Sequence, residues 1–83
     1  MWAVNDLYLV LGIKYIMRKI AERLRELRTE RSLSMLQLGE RVGISSSSIS
    51  RWENNQSDIM SDQLIVLAKF FGVSVDDLLG LQD

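Results

Sequence analysis

The chain has 83 residues, 47% of them hydrophobic and 25% charged, which suits one compact domain around one hydrophobic core. It contains no cysteine, histidine or proline, so disulfides, thiolate and imidazole catalysis and the usual zinc ligands are excluded. The net charge of −1 hides a division, because residues 1–52 hold nine basic and five acidic side chains, and one face can still meet phosphate.

Residues 1–17 form an apolar segment for which three interpretations are open. From residue 7 to residue 13, leucine or isoleucine occupies every second position, as in a strand that pairs with its copy in a second subunit. The second interpretation is a helix that continues past residue 18, and the third is a translated leader ahead of Met17.

No membrane span is expected from this segment. Its apolar run, residues 7–13, is shorter than the roughly 20 residues that a membrane helix needs. Basic residues before the run and a small-residue cleavage site, the marks of a secretory signal, are both missing. We therefore expect a cytoplasmic protein.

Residues 18–80 predict five short helices and no strand. The apolar residues recur at spacings of three and four, as amphipathic helices require. The predicted segments are residues 18–31, 34–42, 45–53, 61–71 and 74–79. The predicted N-caps of the last four are Ser34, Ser45, Ser61 and Ser74. Gln37, three residues after Ser34, completes a capping-box pattern.

The second and third predicted helices are separated by a short turn that contains Gly43. Such a pair is the geometry that lays a second helix in the major groove of DNA. Residues 18–80 also share a wider pattern with a known family, at Leu24, Arg25, Leu27, Arg28, Leu33, Ser34, Leu38, Val42, Gly43, Ile44, Ser45, Ile49, Ser50, Arg51, Trp52, Glu53, Leu64, Leu67, Ala68, Gly72, Val73 and Leu78. Through these residues the sequence resembles the Cro and phage-repressor-like (lambda-repressor-like) helix-turn-helix regulators. This resemblance implies an all-α, five-helix DNA-binding domain, with residues 1–17 as an extra apolar segment.

The resemblance also implies that exposed positions of the third helix read base edges. Here these positions are Ser46, Ser47, Ser50 and Arg51. Arginine can make two hydrogen bonds to a guanine edge, worth about 1–3 kcal/mol of discrimination, whereas serine hydroxyls discriminate poorly. For Ser46 and Ser47, capping and base contact are equally open. Ser45 and Ser48 are better explained as caps.

Two departures from the family pattern lie in the second helix. Met35 stands where the family commonly has a glutamine that holds a phosphate, and a thioether cannot do so. We therefore predict phosphate contacts at Gln37, Asn54 and Gln56, together with the amides at the start of the helix. Gly39 replaces the usual alanine, at an expected cost of roughly 0.5–1 kcal/mol.

The resemblance also implies an ion pair within the domain and a surface for assembly into a dimer. Arg28 and Glu53 match positions that often form a partly buried ion pair, and we predict that pair here. Leu78, Leu79 and Leu81 match the region through which related repressors often pair. The amino-terminal segment offers a second apolar surface for a homodimer or a protein partner, at Leu7, Leu9 and Leu11.

The favoured function is regulation of transcription by a homodimer that binds double-stranded DNA, and a repressor is favoured over an activator. The third helix of each copy would lie in one of two successive major grooves, about 34 Å apart. The alternative is a protein-interaction module or antitoxin-type regulator with weak DNA readout. Enzymatic activity, metal sites and cofactors are not expected, because the acidic residues are scattered over helix faces.

Overall fold

The computed structural model describes residues 4–80, which form five α-helices joined by short turns. The helices are α1 (Val4–Glu30), α2 (Met35–Val42), α3 (Ser46–Glu53), α4 (Ser61–Phe71) and α5 (Val75–Leu78). Over these residues the structure has no strand. The predicted all-α class and five-helix arrangement are confirmed.

α1 has 27 residues and begins at Val4, well before the predicted start at residue 18. Of the conformations considered for the amino-terminal segment, the structure therefore has the continuous helix, and the strand is wrong for residues 4–17. A short apolar run satisfies both the helical and the strand period, so its alternation could not decide between them. Despite its length, α1 is too polar to cross a bilayer, and the same holds for the other helices of residues 4–80.

Serine side chains begin three of the helices. The Ser34 Oγ accepts a hydrogen bond from the Gln37 amide at 3.0 Å, and the Ser34 amide donates to Gln37 Oε1 at 2.8 Å, which is the predicted capping box. Ser45 and Ser74 each accept from the amide three residues further on. α4 differs by one residue from the prediction, because Met60 occupies the N-cap position and Ser61 is already helical.

Every helix contributes to one hydrophobic core. α1 packs against α3 and α5, and α4 packs against α2 and α5. The buried residues of this core are Leu24, Leu27, Leu38, Ile49, Trp52, Leu67, Ala68, Phe71 and Leu78. Because α3 is anchored from both α1 and α2, its remaining face is presented to solvent in a fixed orientation.

The turn between α2 and α3 depends on two glycines. Gly43 adopts a left-handed conformation, with φ of 73°, and its amide and that of Ile44 both donate to the Gly39 carbonyl, at 2.8 and 3.0 Å. A β-carbon on Gly39 would collide with the Ile44 carbonyl oxygen. The sequence alone predicts only that Gly39 weakens the helix. In the structure it instead allows the turn to pack closely against α2.

Candidate nucleic-acid interface

A buried ion pair holds the carboxyl end of α3 against α1. Arg28 Nε and Nη2 donate to the two oxygens of Glu53 at 2.7 and 2.8 Å. The Glu53 side chain is fully buried and that of Arg28 is 12% exposed. Hydrogen bonding to Glu53 is the main reason that the pKa of Arg28 lies above its ordinary value. Arg28 also donates to the Leu33 carbonyl at 2.8 Å, which ties the turn after α1 to the same pair.

α3 has one buried and one exposed face. Ile49 and Trp52 point into the core, whereas Ser47 and Arg51, one helical turn apart, are exposed. Ser46 and Ser50, also predicted to contact bases, are half-buried beside them. The four predicted readout residues therefore lie on adjoining parts of one helix surface, with Ser47 and Arg51 the more accessible.

Arg51 is the one strongly discriminating side chain on that surface. Its Nη2 lies 3.5 Å from Ser48 Oγ, a weak contact. No carboxylate of residues 4–80 lies within 4.0 Å of its guanidinium. Ser48 is itself engaged in the N-cap, since the Ser45 and Ser48 hydroxyl oxygens are 2.9 Å apart. The Arg51 charge is therefore available to a ligand.

The predicted phosphate contacts are distributed unevenly. Gln37 is exposed at the start of α2, and because its Oε1 accepts from Ser34, its Nε2 group is the remaining donor. Gln56 is exposed in the loop after α3. Asn54 is exposed too, but its Nδ2 donates to the Ser50 carbonyl at 2.8 Å, so its first role here is to cap α3. Met35 is half-buried and packs against the core.

The arrangement of α2, the turn and α3 is a helix-turn-helix, and the comparison with known protein families gives the same result. The model of the helix-turn-helix family matches residues 24–78, two thirds of the chain. The chain belongs to the Cro and phage-repressor-like helix-turn-helix family. No solved structure matches it significantly.

Several curated proteins are similar to this helix-turn-helix chain. It is 44% identical over 62 residues to the uncharacterized HTH-type transcriptional regulator YobD of Bacillus subtilis, covering 75% of this chain and 55% of that protein. It is 38% identical over 58 residues to the HTH-type transcriptional activator BcrR of Enterococcus faecalis, covering 70% and 28%. It is 33% identical over 61 residues to the antitoxin PezA of Streptococcus pneumoniae, covering 74% and 39%. The chain thus spans about half or less of the length of these relatives.

A basic residue that was not among the predicted contacts adjoins the end of α3 in this helix-turn-helix domain. Arg25 is half exposed, and its Nε lies 3.3 Å from Glu53 Oε1 while its Nη2 lies 3.5 Å from Asn54 Oδ1. The signal in the sequence was its spacing of three from Arg28, which places both side chains on one side of α1. Because Arg28 already balances Glu53, Arg25 adds positive charge beside α3.

The residues predicted to form a dimer interface separate into two groups. Leu78 is 1% exposed and belongs to the core of the single chain, so its assignment to an interface is wrong. Leu79 is half-buried, and Leu81 lies outside the described residues. Leu7, Leu9 and Leu11 are between 52% and 64% exposed on α1. As far as residue 80, the carboxyl end of the domain therefore offers less free apolar surface than its first helix.

Proposed function

We propose that this chain is a sequence-specific regulator of transcription that binds double-stranded DNA as a homodimer, with α3 of each copy in the major groove. The observation that carries the proposal is the exposed guanidinium of Arg51 on a helix whose opposite face packs against α1 and α2. A side chain with two parallel donors matches the acceptor pair on the major-groove edge of guanine. Ser46, Ser47 and Ser50 supply shorter hydroxyl contacts from the same surface.

Phosphate contacts orient the domain on the duplex. The amides at the start of α2 carry the partial positive charge of a helix terminus, and Gln37 adds a side-chain donor there. Gln56 contacts the DNA backbone from the loop that follows α3, and Arg25 adds positive charge near the carboxyl end of α3. Since Met35 supplies no donor, the affinity rests on fewer phosphate contacts than the family pattern provides.

A homodimer places two such helices on one face of the duplex. Their separation would match one turn of DNA, about 34 Å, and the operator would be a palindrome. Bound over a promoter, such a dimer represses transcription simply by occupying it.

Selection of bound sequences from a random DNA pool tests this function. We expect an enriched palindrome with a guanine at the same place in each half-site, and affinity that falls steeply as salt is raised. A pool that stays random after repeated rounds, with retention that does not depend on salt, would overturn the proposal.

The alternative is an antitoxin-type regulator that works mainly through a protein partner. Two observations favour it: the serine-rich α3, which discriminates bases weakly apart from Arg51, and the relative named as an antitoxin. The pool selection separates the two, because only the DNA-binding function predicts an operator.

A further inference from the structure

The buried stripe of α1 continues beyond the core of the domain. Ile20, Leu24 and Leu27 are at most 3% exposed. The same spacing of three and four leads back along the helix to Met17, Ile13 and Val10. Ile13 is nevertheless 46% exposed. Apolar side chains with the periodicity of a core face therefore lie where the described part of this chain covers them only in part.

These residues form one wall of an open groove. Its volume is about 510 Å³, and Val10, Ile13, Lys14 and Met17 line it on the side of α1. Asn55 and Asp58, from the loop between α3 and α4, line the other side. We call Asp6, Val10, Ile13, Lys14 and Met17 the upper stripe. It spans 12 residues, or about 18 Å of helix, which is the footprint of another helix rather than of a small molecule.

The charges of the upper stripe identify the helix that fits it. Asp6 and Lys14 are the only charged residues between positions 4 and 17. Each lies four residues from Val10, and at about 100° per residue Asp6 lies roughly 40° to one side of Val10 and Lys14 roughly 40° to the other. In an antiparallel pair of identical helices that cross at Val10 at about 50°, the rows Asp6–Val10–Lys14 of the two copies run parallel, so Asp6 of each copy faces Lys14 of the other. In a parallel pair, like charges would meet instead.

We propose that the upper stripe binds a second copy of this chain, as an antiparallel pair of α1 helices centred on Val10. The contact is isologous, so Ile13 of each copy is covered by the first turn of α1 of the other, and two Asp6–Lys14 ion pairs flank the centre. This inference goes beyond the proposed function and rests on it only for the need for two copies. It is tested without DNA, so its failure and the failure of DNA binding are distinguishable.

The first test compares two substitutions on opposite faces of α1 in the full chain. Ile13 lies on the upper stripe, whereas Leu11, which the sequence alone suggests as an interface residue, lies about 160° away around the helix, with similar exposures of 46% and 53%. Light scattering is used to measure molar mass across micromolar concentrations. We expect Ile13→Gln to raise the dimer dissociation constant at least about tenfold, and Leu11→Gln to change it less than about threefold. Circular dichroism verifies that both variants remain folded.

The second test exchanges the two charges. Either Asp6→Lys or Lys14→Asp alone creates two contacts between like charges in the dimer, one on each side of its centre. We expect either substitution to raise the dimer dissociation constant about fivefold. The double variant, with Asp6→Lys and Lys14→Asp together, restores opposite charges and should return to the value of the unchanged chain. Only an antiparallel pair in this register predicts that recovery.

Three results would overturn the proposal. The first is a monomer mass for the unchanged chain at every concentration up to about 1 mM. The second is an equal effect of the Ile13 and Leu11 substitutions, which would place the contact elsewhere. The third is a double charge variant that dimerises as poorly as the single variants. Monomers that instead bind vesicles of neutral phospholipid would assign the stripe to a lipid surface.

Discussion

Glu53, the last residue of α3, accepts two hydrogen bonds from Arg28 of α1, at 2.7 and 2.8 Å, inside the domain. Because its carboxylate is fully buried, this pair joins the carboxyl end of α3 to α1 inside the domain. Replacing Glu53 by alanine would leave the Arg28 charge, only 12% exposed, without a counter-charge. We expect Glu53→Ala to lower the free energy of unfolding by about 3–5 kcal/mol, measured by urea denaturation.

A matched control is available on the surface of α1. Glu26 forms an ion pair with Arg23 at 3.1 Å, but its side chain is 61% exposed. Glu26→Ala should therefore cost less than about 1 kcal/mol. Equal losses from the two substitutions would contradict the special role of the buried pair.

The second prediction concerns base recognition by Arg51. Arg51→Ala should weaken binding to a selected operator by about 1–3 kcal/mol for each half-site and relax the preference at one base position. Its thermal stability should not change, because the side chain is exposed and has no carboxylate partner among residues 4–80. Binding is measured by fluorescence anisotropy on operator variants.

Lys69→Ala is the control for Arg51→Ala. Lys69 is exposed in the last turn of α4, and its removal changes the net charge by the same amount. We expect an affinity within about twofold of the unchanged chain. If both substitutions weaken operator binding alike, Arg51 acts only through its charge.

The third prediction concerns the phosphate contact that Met35 cannot make. Met35→Gln places an amide donor at the first residue of α2, where the helix amides already favour an anion. We expect affinity to rise about threefold to tenfold for operator and unrelated DNA alike, because a phosphate contact carries no sequence information. A gain confined to the operator would show that position 35 reaches a base.

Much of the fold could be predicted from sequence because its signals are local. The capping box of Ser34 and Gln37 and the left-handed Gly43 fix α2 within a few residues, and the structure has both. The apolar spacing of Leu24 and Leu27 likewise placed the core face of α1. The exposed position of Arg51 could be predicted because Arg51 lies two residues after the buried Ile49, on the opposite face of α3.

What could not be predicted depends on contacts between distant segments. Whether Leu78 faces the core or a partner is decided by how α5 packs against α1 and α4, which its own neighbours in sequence do not show. The same holds for Arg25, whose partners Glu53 and Asn54 come from α3 and its C-cap. The length of α1 could not be predicted because its apolar residues fit two periods.

The fourth prediction concerns Gly39. At an open helix position, glycine to alanine would stabilise the protein by up to about 1 kcal/mol. Here the added β-carbon meets the Ile44 carbonyl oxygen, so the backbone of the turn must move. We expect Gly39→Ala to give no stabilisation and Gly39→Val to cost more than about 3 kcal/mol in thermal denaturation. A clear rise in melting temperature for Gly39→Ala would show that the turn has room to spare.

The last prediction separates folding from assembly by deleting residues 1–16. Among the residues of α1 whose burial is described, the first buried ones are Ile20 and Ala21, each 2% exposed, and the core cluster begins at Leu24, so the deletion removes none of the buried residues that the structure describes. We expect the shortened chain to remain helical, with a melting temperature lowered by less than about 5 °C. It should dimerise more weakly than the full chain, and its DNA affinity should fall while its selected sequence stays the same, because α3 is untouched. Circular dichroism, light scattering and pool selection measure these three properties separately. An unchanged dimer would assign the contact to the carboxyl-terminal end, and loss of cooperative unfolding would show that the first half of α1 supports the fold itself.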